Sequence, residues 1–506
     1  MFCAKIYKFP HFTYQKRQFT CLNGHTRAWA AKKFAYCHKI RTYMKIRRTL
    51  IALALTAVAL TFTQCGKPAT SGNTFPARWI FNERNTPLYA EKWVNEPHVI
   101  RAMNGSPAFI TAQRADGSTE GLSFIDRNGN PFVSTLTKDD YLLFCMPSDG
   151  IEKGSNIEVE AAIISNPASP KYFIIEYFEG GEWKYIEEDV MPVPEDPTLR
   201  YSFRCSGIGE GEPHEYTSVY QTLTLRRPVR KDGLKIRFRA VGDITCNGTP
   251  QSRDVEDGAI GLVHHGFNGA YLQDYGTSVP CDTTHILCIG NSFTYFSNVP
   301  SMLKEIAWSQ GHYFNIRASL KGGQTLGQHI GRTLTRDAAS HGGYDVVFLQ
   351  DQSQTPARYA ADPETHSKVA EDYLTLSGLV MESSPDCRLF MEQTWAYPSG
   401  RFGGFGDFGT FTSLLRDGSH KLAIQNGAEV SPIGDAFEVA YNENKSIRLY
   451  DTDNKHQSHY GAYLKACVNY LVITGEAFKG DVAACGIEPE KATYLQKVAE
   501  KVVLER

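Results

Sequence analysis

The sequence predicts two bodies of different class. An all-β sandwich of jelly-roll type is expected over residues 76–250, and an α/β domain with a parallel sheet between helical layers over 283–506. Three observations carry this expectation. The length, 506 residues, is ample for two large buried cores. From 76 to 250, β-branched and aromatic runs alternate with turn residues and no long helical period occurs. From His285 onward, short apolar runs alternate with helical stretches, the order of a parallel sheet covered on both faces.

The elements follow in chain order. Met44 opens a basic segment, Met44-Lys45-Ile46-Arg47-Arg48, followed by an apolar run over 50–62 and then Gln64-Cys65-Gly66-Lys67. This pattern is that of an export signal, too short to span a bilayer comfortably. It resembles a bacterial lipoprotein signal over 44–64, which makes Cys65 the lipid attachment site, although Gln64 departs from the usual small residue. Residues 1–43 then read as upstream, non-native translation, and 65–75 as a tether. The expected location is the cell envelope, outer membrane or cell surface, with the membrane reached only through the N-terminal lipid.

Charge supports the same division. Of 53 Lys and Arg, 12 precede residue 65, a stretch without Asp or Glu. The remainder carries 41 basic against 55 acidic groups, a net charge of −14. A body that acidic is no partner for nucleic acid. Of the 12 cysteines, Cys3, Cys21 and Cys37 lie upstream and Cys65 is the expected lipid-bearing first residue of the mature chain, which leaves eight in its body. The rest form no CxxC pair, so neither a zinc ribbon nor a redox dithiol is expected. Cys205 with Cys246 is one pair that an oxidising destination permits.

Within the sandwich, residues 157–164 and 172–178 are β-branched and aromatic. The second run ends in Glu179-Gly180-Gly181-Glu182 before Trp183-Lys184-Tyr185-Ile186, a hairpin signal. Residues 222–226 and 234–240 alternate apolar and polar, as half-buried antiparallel strands do. Residues 251–282 read as a β-rich connector, and adjacent His264 and His265 point to opposite faces of a strand, which disfavours a shared metal.

In the α/β domain, strands are expected at 286–289, 314–318, 346–349 and 388–391, and helices at 299–310, 324–335, 367–381, 460–474 and 489–504. Gly404-Phe405-Gly406-Asp407-Phe408-Gly409 fits GxGxxG. A dinucleotide fingerprint must join a strand directly to its helix, however, and Pro398, Ser399 and further glycines intervene. A mobile aromatic loop is the better reading.

Ligands of such sheets bind outside the carboxyl ends of the strands. The first expected strand ends in Gly290-Asn291-Ser292-Phe293-Thr294, which puts Ser292 at such an end. Asp453-Asn454-Lys455-His456 lies directly before a helix near the C-terminus. A serine hydroxyl needs a base, and the base a carboxylate that fixes its tautomer; Ser292, His456 and Asp453 supply all three. Asp451 can stand in for Asp453 and His459 for His456, with spacing favouring the Asp-x-x-His pair. After the second strand, the paired glycines Gly322 and Gly323 allow backbone N–H groups to approach a reacting carbonyl. After the third, Gln350-Asp351-Gln352 offers amide donors.

These blocks in this order resemble the SGNH (GDSL-type) hydrolase family over about 283–480, in a branch of exported bacterial lipoproteins. The resemblance implies an SGNH-type three-layer α/β/α fold and a serine esterase. In it Ser292 attacks, His456 shuttles the proton and Asp453 orients His456. Gly322 and Gln352 serve the oxyanion, with Gly323 the rival glycine. Asn291 stands where the family commonly has Asp, and Gln352 where it has Asn. His329, Gln354 and Trp395 are the expected pocket residues. No metal or organic cofactor is implied. The expected substrate is an ester, carbohydrate O-acetyl groups being the leading class. The alternative is a surface glycan-binding lipoprotein whose hydrolase domain is weak or inactive.

Overall fold

The computed structural model describes residues 75–505, apart from 80, 82–95, 97, 103–104, 128, 149, 206, 208–215, 254–258, 264–269, 278–282 and 399–403. The expected signal, Cys65, the tether up to residue 74 and the His264-His265 pair therefore lie outside the described residues.

Two antiparallel sheets build the sandwich. In the first, Asn156–Ser165 pairs along one edge with Thr217–Thr224 and along the other with Ala270–Asp274 and then Ile260–Leu262. The second runs Phe203–Arg204, Pro170–Glu179, Leu234–Thr245, Tyr141–Met146, Phe109–Gln113, Val99–Arg101. Side chains from the two inner faces meet in one core, where Trp79 packs edge-on to Phe144 (6.0 Å) and Phe144 against Phe238 (4.8 Å). Along Leu234–Thr245, Ile236, Phe238 and Ala240 point inward, while Arg237 and Arg239 point outward to Glu176, as period-2 alternation requires. The hairpin closes at Gly180 and Gly181, φ +67° and +94°, where the favoured two-residue turn needs positive φ at both positions.

Two sequence expectations change here. The 251–282 segment is not a connector in its described parts, because Ile260–Leu262 and Ala270–Asp274 are strands of the first sheet. Cys205 and Cys246 are free thiols rather than a disulfide.

The α/β domain has five parallel strands: β1 (Thr283–Gly290), β2 (Tyr313–Leu320), β3 (Val346–Leu349), β4 (Arg388–Glu392) and β5 (Glu429–Ser431), in the order β2-β1-β3-β4-β5. The helices are α1 (Ser292–Tyr295), α2 (Val299–Ser309), α3 (Leu326–Ile330), α4 (Thr333–His341), α5 (Thr355–Ala361), α6 (Ser367–Met381), α7 (Phe408–Gln425), α8 (Ile433–Glu443), α9 (His459–Thr474) and α10 (Pro489–Val503). Successive strand residues serve opposite layers. Ile286, Cys288, Val346 and Phe348 join the core under α2, α8, α9 and α10, and Leu287, Ile289, Val347 and Leu349 join the core under α3, α4 and α6. Both faces are covered, which is why these strands read as unbroken apolar runs. The chain reverses direction across the sheet at β1, the switch point where open α/β sheets form their clefts. The expected helix over 324–335 is two, α3 and α4, broken at Gly331 and Arg332. Asp407 of the GxGxxG string caps α7 through Thr410 N–H (2.8 Å), and Phe405 stacks on Phe411 (4.7 Å), so that string is packed helix entry.

The outer face of the first sandwich sheet lies against the α/β domain. Ile157, Val159, Ala161 and Ile163 fill the sandwich core, so Glu158 and Glu160 point the other way, onto α2 and the turn before it. Lys304 of α2 is ion-paired with Glu158 and donates to Thr222 Oγ1 (2.9 Å), all three buried. Arg204 forms a two-pronged pair with Asp337 of α4.

Candidate active site

The site is built on the loop leaving β1. Gly290 must lack a side chain, since a Cβ would lie 2.7 Å from Gln350 Oε1 and 3.0 Å from Thr294 Oγ1. Asn291 caps α1, its Oδ1 accepting from Phe293 N–H (3.1 Å). Its Nδ2 donates to the carbonyls of Gln324 (2.9 Å) and Asp351 (3.2 Å), so one side chain ties the loops after β1, β2 and β3 together. An aspartate in this place would set a carboxylate against two carbonyl oxygens. This accounts for asparagine here.

Ser292 follows, 8% exposed. Its Oγ lies 2.8 Å from His456 Nε2, and His456 Nδ1 lies 2.5 Å from Asp453 Oδ2. Asp453 Oδ1 accepts from the N–H groups of Lys455 and His456, both at 2.9 Å. Partial burial pushes the Asp453 carboxyl up. The His456 hydrogen bond and the two backbone N–H groups outweigh it and hold the group below the ordinary aspartate value. An ionised Asp453 keeps the imidazole proton on Nδ1 and leaves Nε2 to accept the serine proton.

Aromatic packing fixes the imidazole. Phe296 stacks on His456 (4.3 Å, 19°) and Phe293 meets its edge (5.6 Å, 72°). Phe293, Trp395 and Phe437 form a parallel stack at 4.2 and 4.3 Å. Trp395 Nε1 donates to Lys455 O (3.0 Å), and Gln457 Nε2 to the carbonyls of Ser292 (3.2 Å) and Phe296 (3.1 Å). Beneath α1, fully buried Lys465 donates to Phe293 O (2.9 Å) and Thr294 Oγ1 (3.0 Å) and pairs with Glu392 (2.5 Å). Of these supporting residues, Phe296, Gln457 and Lys465 carry no mark of their own in the sequence. Only the adjacency of Gln457 to His456 and of Phe296 to the serine block marked them.

The other candidates separate cleanly. Asp451 Oδ1 accepts from Thr452 N–H (2.7 Å), its own turn, and not from the imidazole. His459 Nε2 donates to Cys485 O (2.7 Å) inside the fold, where burial lowers its pKa. His329 is not a pocket residue. It is 0% exposed, bonded to Gly290 O (2.9 Å) and approached by Arg332 Nη1 at 3.1 Å. Burial and that guanidinium push its pKa down to about 3, so it is a neutral packing histidine. Trp395, 1% exposed, is likewise no pocket wall but a support for the Asp-His loop. Gln354 is half-buried, its Oε1 accepting from Arg358 (2.9 Å).

Gly322 and Gly323 are both exposed. A Cβ on Gly322 would lie 2.6 Å from the Tyr295 hydroxyl, whereas Gly323 has open space and φ +71°, so the two are glycine for different reasons. Gln352 is turned into its own loop. Its Oε1 accepts from Gln354 N–H (2.9 Å) and its Nε2 donates to Ser353 Oγ (3.2 Å). Asp351, fully buried, accepts from Leu326 N–H (3.1 Å) and Gln352 N–H (2.6 Å), and burial raises its pKa to about 7.

No protein-family model matches the chain, and no curated protein matches it. Solved structures resemble part of it. A DUF4886 family protein from Bacteroides uniformis ATCC 8492 is 21% identical, covering 44% of this chain and 95% of that one, with a TM-score of 0.37. A GDSL-like lipase from Parabacteroides merdae ATCC 43184 is 15% identical, covering 38% and 95%, TM-score 0.29. The acetylxylan esterase Axe2 from Geobacillus stearothermophilus is 15% identical, covering 39% and 97%, TM-score 0.29. These SGNH/GDSL-like matches fall on the C-terminal α/β part of the chain.

Proposed function

We propose that this protein is a serine esterase acting through Ser292, His456 and Asp453. One observation carries the reading: a serine hydroxyl 2.8 Å from an imidazole whose other nitrogen is 2.5 Å from a carboxylate. No structural role requires that chain of three. Ser292 Oγ attacks the ester carbonyl as its proton passes to His456 Nε2. The alcohol leaves with that proton, and water, deprotonated by the same nitrogen, releases the acid from the acyl-serine. Ser292 N–H and Gly322 N–H are the backbone donors to the oxyanion.

Carbohydrate O-acetyl groups are the proposed substrates, in an exported, lipid-anchored protein. The basic and apolar segment before Cys65 and the β-sandwich ahead of the hydrolase domain support this. A second reading, a glycan-binding surface lipoprotein with a weak hydrolase domain, draws on the Gln352 amide being held in its own loop.

Hydrolysis of p-nitrophenyl acetate by the full chain and by its Ser292→Ala variant decides between them. Loss of turnover with Ser292 supports the esterase. Equal, background rates in both favour the binding protein.

A further inference from the structure

An oxyanion hole of this kind is expected to have a third donor beside its two backbone N–H groups. Gln352, at the position where an amide was expected, spends its carbonyl on Gln354 N–H and an amide hydrogen on Ser353 Oγ. Ser353 Oγ is itself 2.5 Å from the Tyr397 hydroxyl, so the amide sits in a closed local network.

Another donor stands on the same turn as Ser292. Tyr295 follows Ser292 by three residues on α1, which places both side chains on one face of the turn. Its hydroxyl lies over Gly322, 2.6 Å from where a Cβ would be. Its ring packs on Phe296 (5.4 Å, 21°), the residue that covers His456. The hydroxyl therefore lies over the glycine proposed for the oxyanion, on the nucleophile's own turn and on a side chain braced by the aromatic stack.

We infer that Tyr295 is the third oxyanion donor, its phenol O–H bonding the carbonyl oxygen of the ester as Ser292 attacks; this rests on the esterase reading above. As the Oγ–C bond forms, the Ser292 proton passes to His456 Nε2 and the carbonyl π pair moves onto oxygen. The phenol holds that oxygen by a hydrogen bond and keeps its own proton. When the pair returns, the C–O bond to the alcohol breaks and His456 gives the proton to the leaving oxygen. Burial pushes the Tyr295 phenol up to about 12, so it keeps its proton and remains a donor throughout the neutral pH range. The same hydroxyl explains glycine at 322, since any side chain there would displace it.

Turnover of p-nitrophenyl acetate by the full chain tests this. Tyr295→Phe keeps the ring and removes the donor. It should lower kcat by on the order of 100- to 1,000-fold with KM little changed. The Ki of phenylboronic acid, whose tetrahedral serine adduct puts an oxygen in the same hole, should rise in parallel. Gly322→Ala, which pushes the hydroxyl away, should lower kcat as well, and adding Tyr295→Phe to it should cost little more. The loss for Gln352→Ala should be smaller than that for Tyr295→Phe. A Tyr295→Phe variant within twofold of a Ser292-dependent wild type would overturn the inference alone, as would a larger loss for Gln352→Ala. A wild type whose turnover does not depend on Ser292 would overturn the esterase reading and the inference with it.

Discussion

Asn298 Nδ2 donates to Glu160 Oε2 at 2.8 Å, joining the turn after α1, the helix that begins at Ser292, to a strand of the sandwich. Tyr220, on the neighbouring strand, donates its hydroxyl to Asn298 Oδ1 at 2.9 Å. Ser297 and Asn298 both have positive φ, +58° and +54°, and Phe296 just before them lies on the His456 imidazole. Asparagine at a helix start ordinarily caps that helix; here its side chain makes no cap bond to α2 and reaches across to the sandwich instead. The sandwich is thereby part of the support of the turn that carries Phe296 onto His456.

Removing that support should loosen the turn. Asn298→Gly keeps access to positive φ and deletes the amide, leaving Glu160 and Tyr220 without their partner. We expect a stability loss of about 1–3 kcal/mol, the cost of unsatisfied buried polar groups. Asn298→Ala should lose about 1 kcal/mol more from the left-handed backbone. Urea midpoints measure both, and equal midpoints for the two variants would contradict the strain argument.

Glu160 predicts a pH dependence. Burial, and then the nearby Glu158, raise its pKa well above the ordinary glutamate value, against the opposing Lys304 and the hydrogen bonds from Asn298 and Ser301. The folded state thus holds a proton that the unfolded chain releases from about pH 4.3 upward. The sign follows: wild-type stability falls as pH rises from there towards the raised folded value, above which the loss is complete. Glu160→Gln keeps an acceptor for Asn298 and cannot ionise. Its urea midpoint should gain on the wild type between pH 5 and pH 9, and a constant difference would refute the assignment.

Asn291→Asp should destabilise the junction of three loops. The variant loses two donated hydrogen bonds and, once ionised, faces the Gln324 and Asp351 carbonyls. The expected cost is about 1–3 kcal/mol, greater at pH 8 than at pH 4, read from denaturant unfolding at the two values.

Lys465→Met should be among the most damaging single changes. It strands Glu392, 2% exposed, in the core, where Asn469 (2.9 Å) is its remaining side-chain partner among the described residues. Breaking one side of a buried pair costs about 3–5 kcal/mol. Adding Glu392→Gln, which removes the stranded charge, should restore part of that loss, and thermal unfolding of the single and double variants shows whether it does.

Much of this protein is local in origin and legible in the chain. Alternation at period 2 marks the strand over 234–245, and the double glycine at 180–181 the hairpin. The order of apolar runs and helices marks the parallel sheet, with Val346–Leu349 and Ser367–Met381 falling on their expected bounds. Ser292 and the Asp453-x-x-His456 spacing are legible because a strand end and a three-residue turn need few neighbours to orient them. What the chain could not reveal is what covers each face. Ile157-Glu158-Val159-Glu160 has a polar side that would suit solvent, yet both glutamates are buried, because α2 brings Lys304 and the turn before it brings Asn298. His329 and Trp395 look like pocket residues by position but are enclosed by layers closed far along the sequence. Where a side chain points past its own turn is set by contacts between β1, β2 and β3, and those exist only once the sheet has closed.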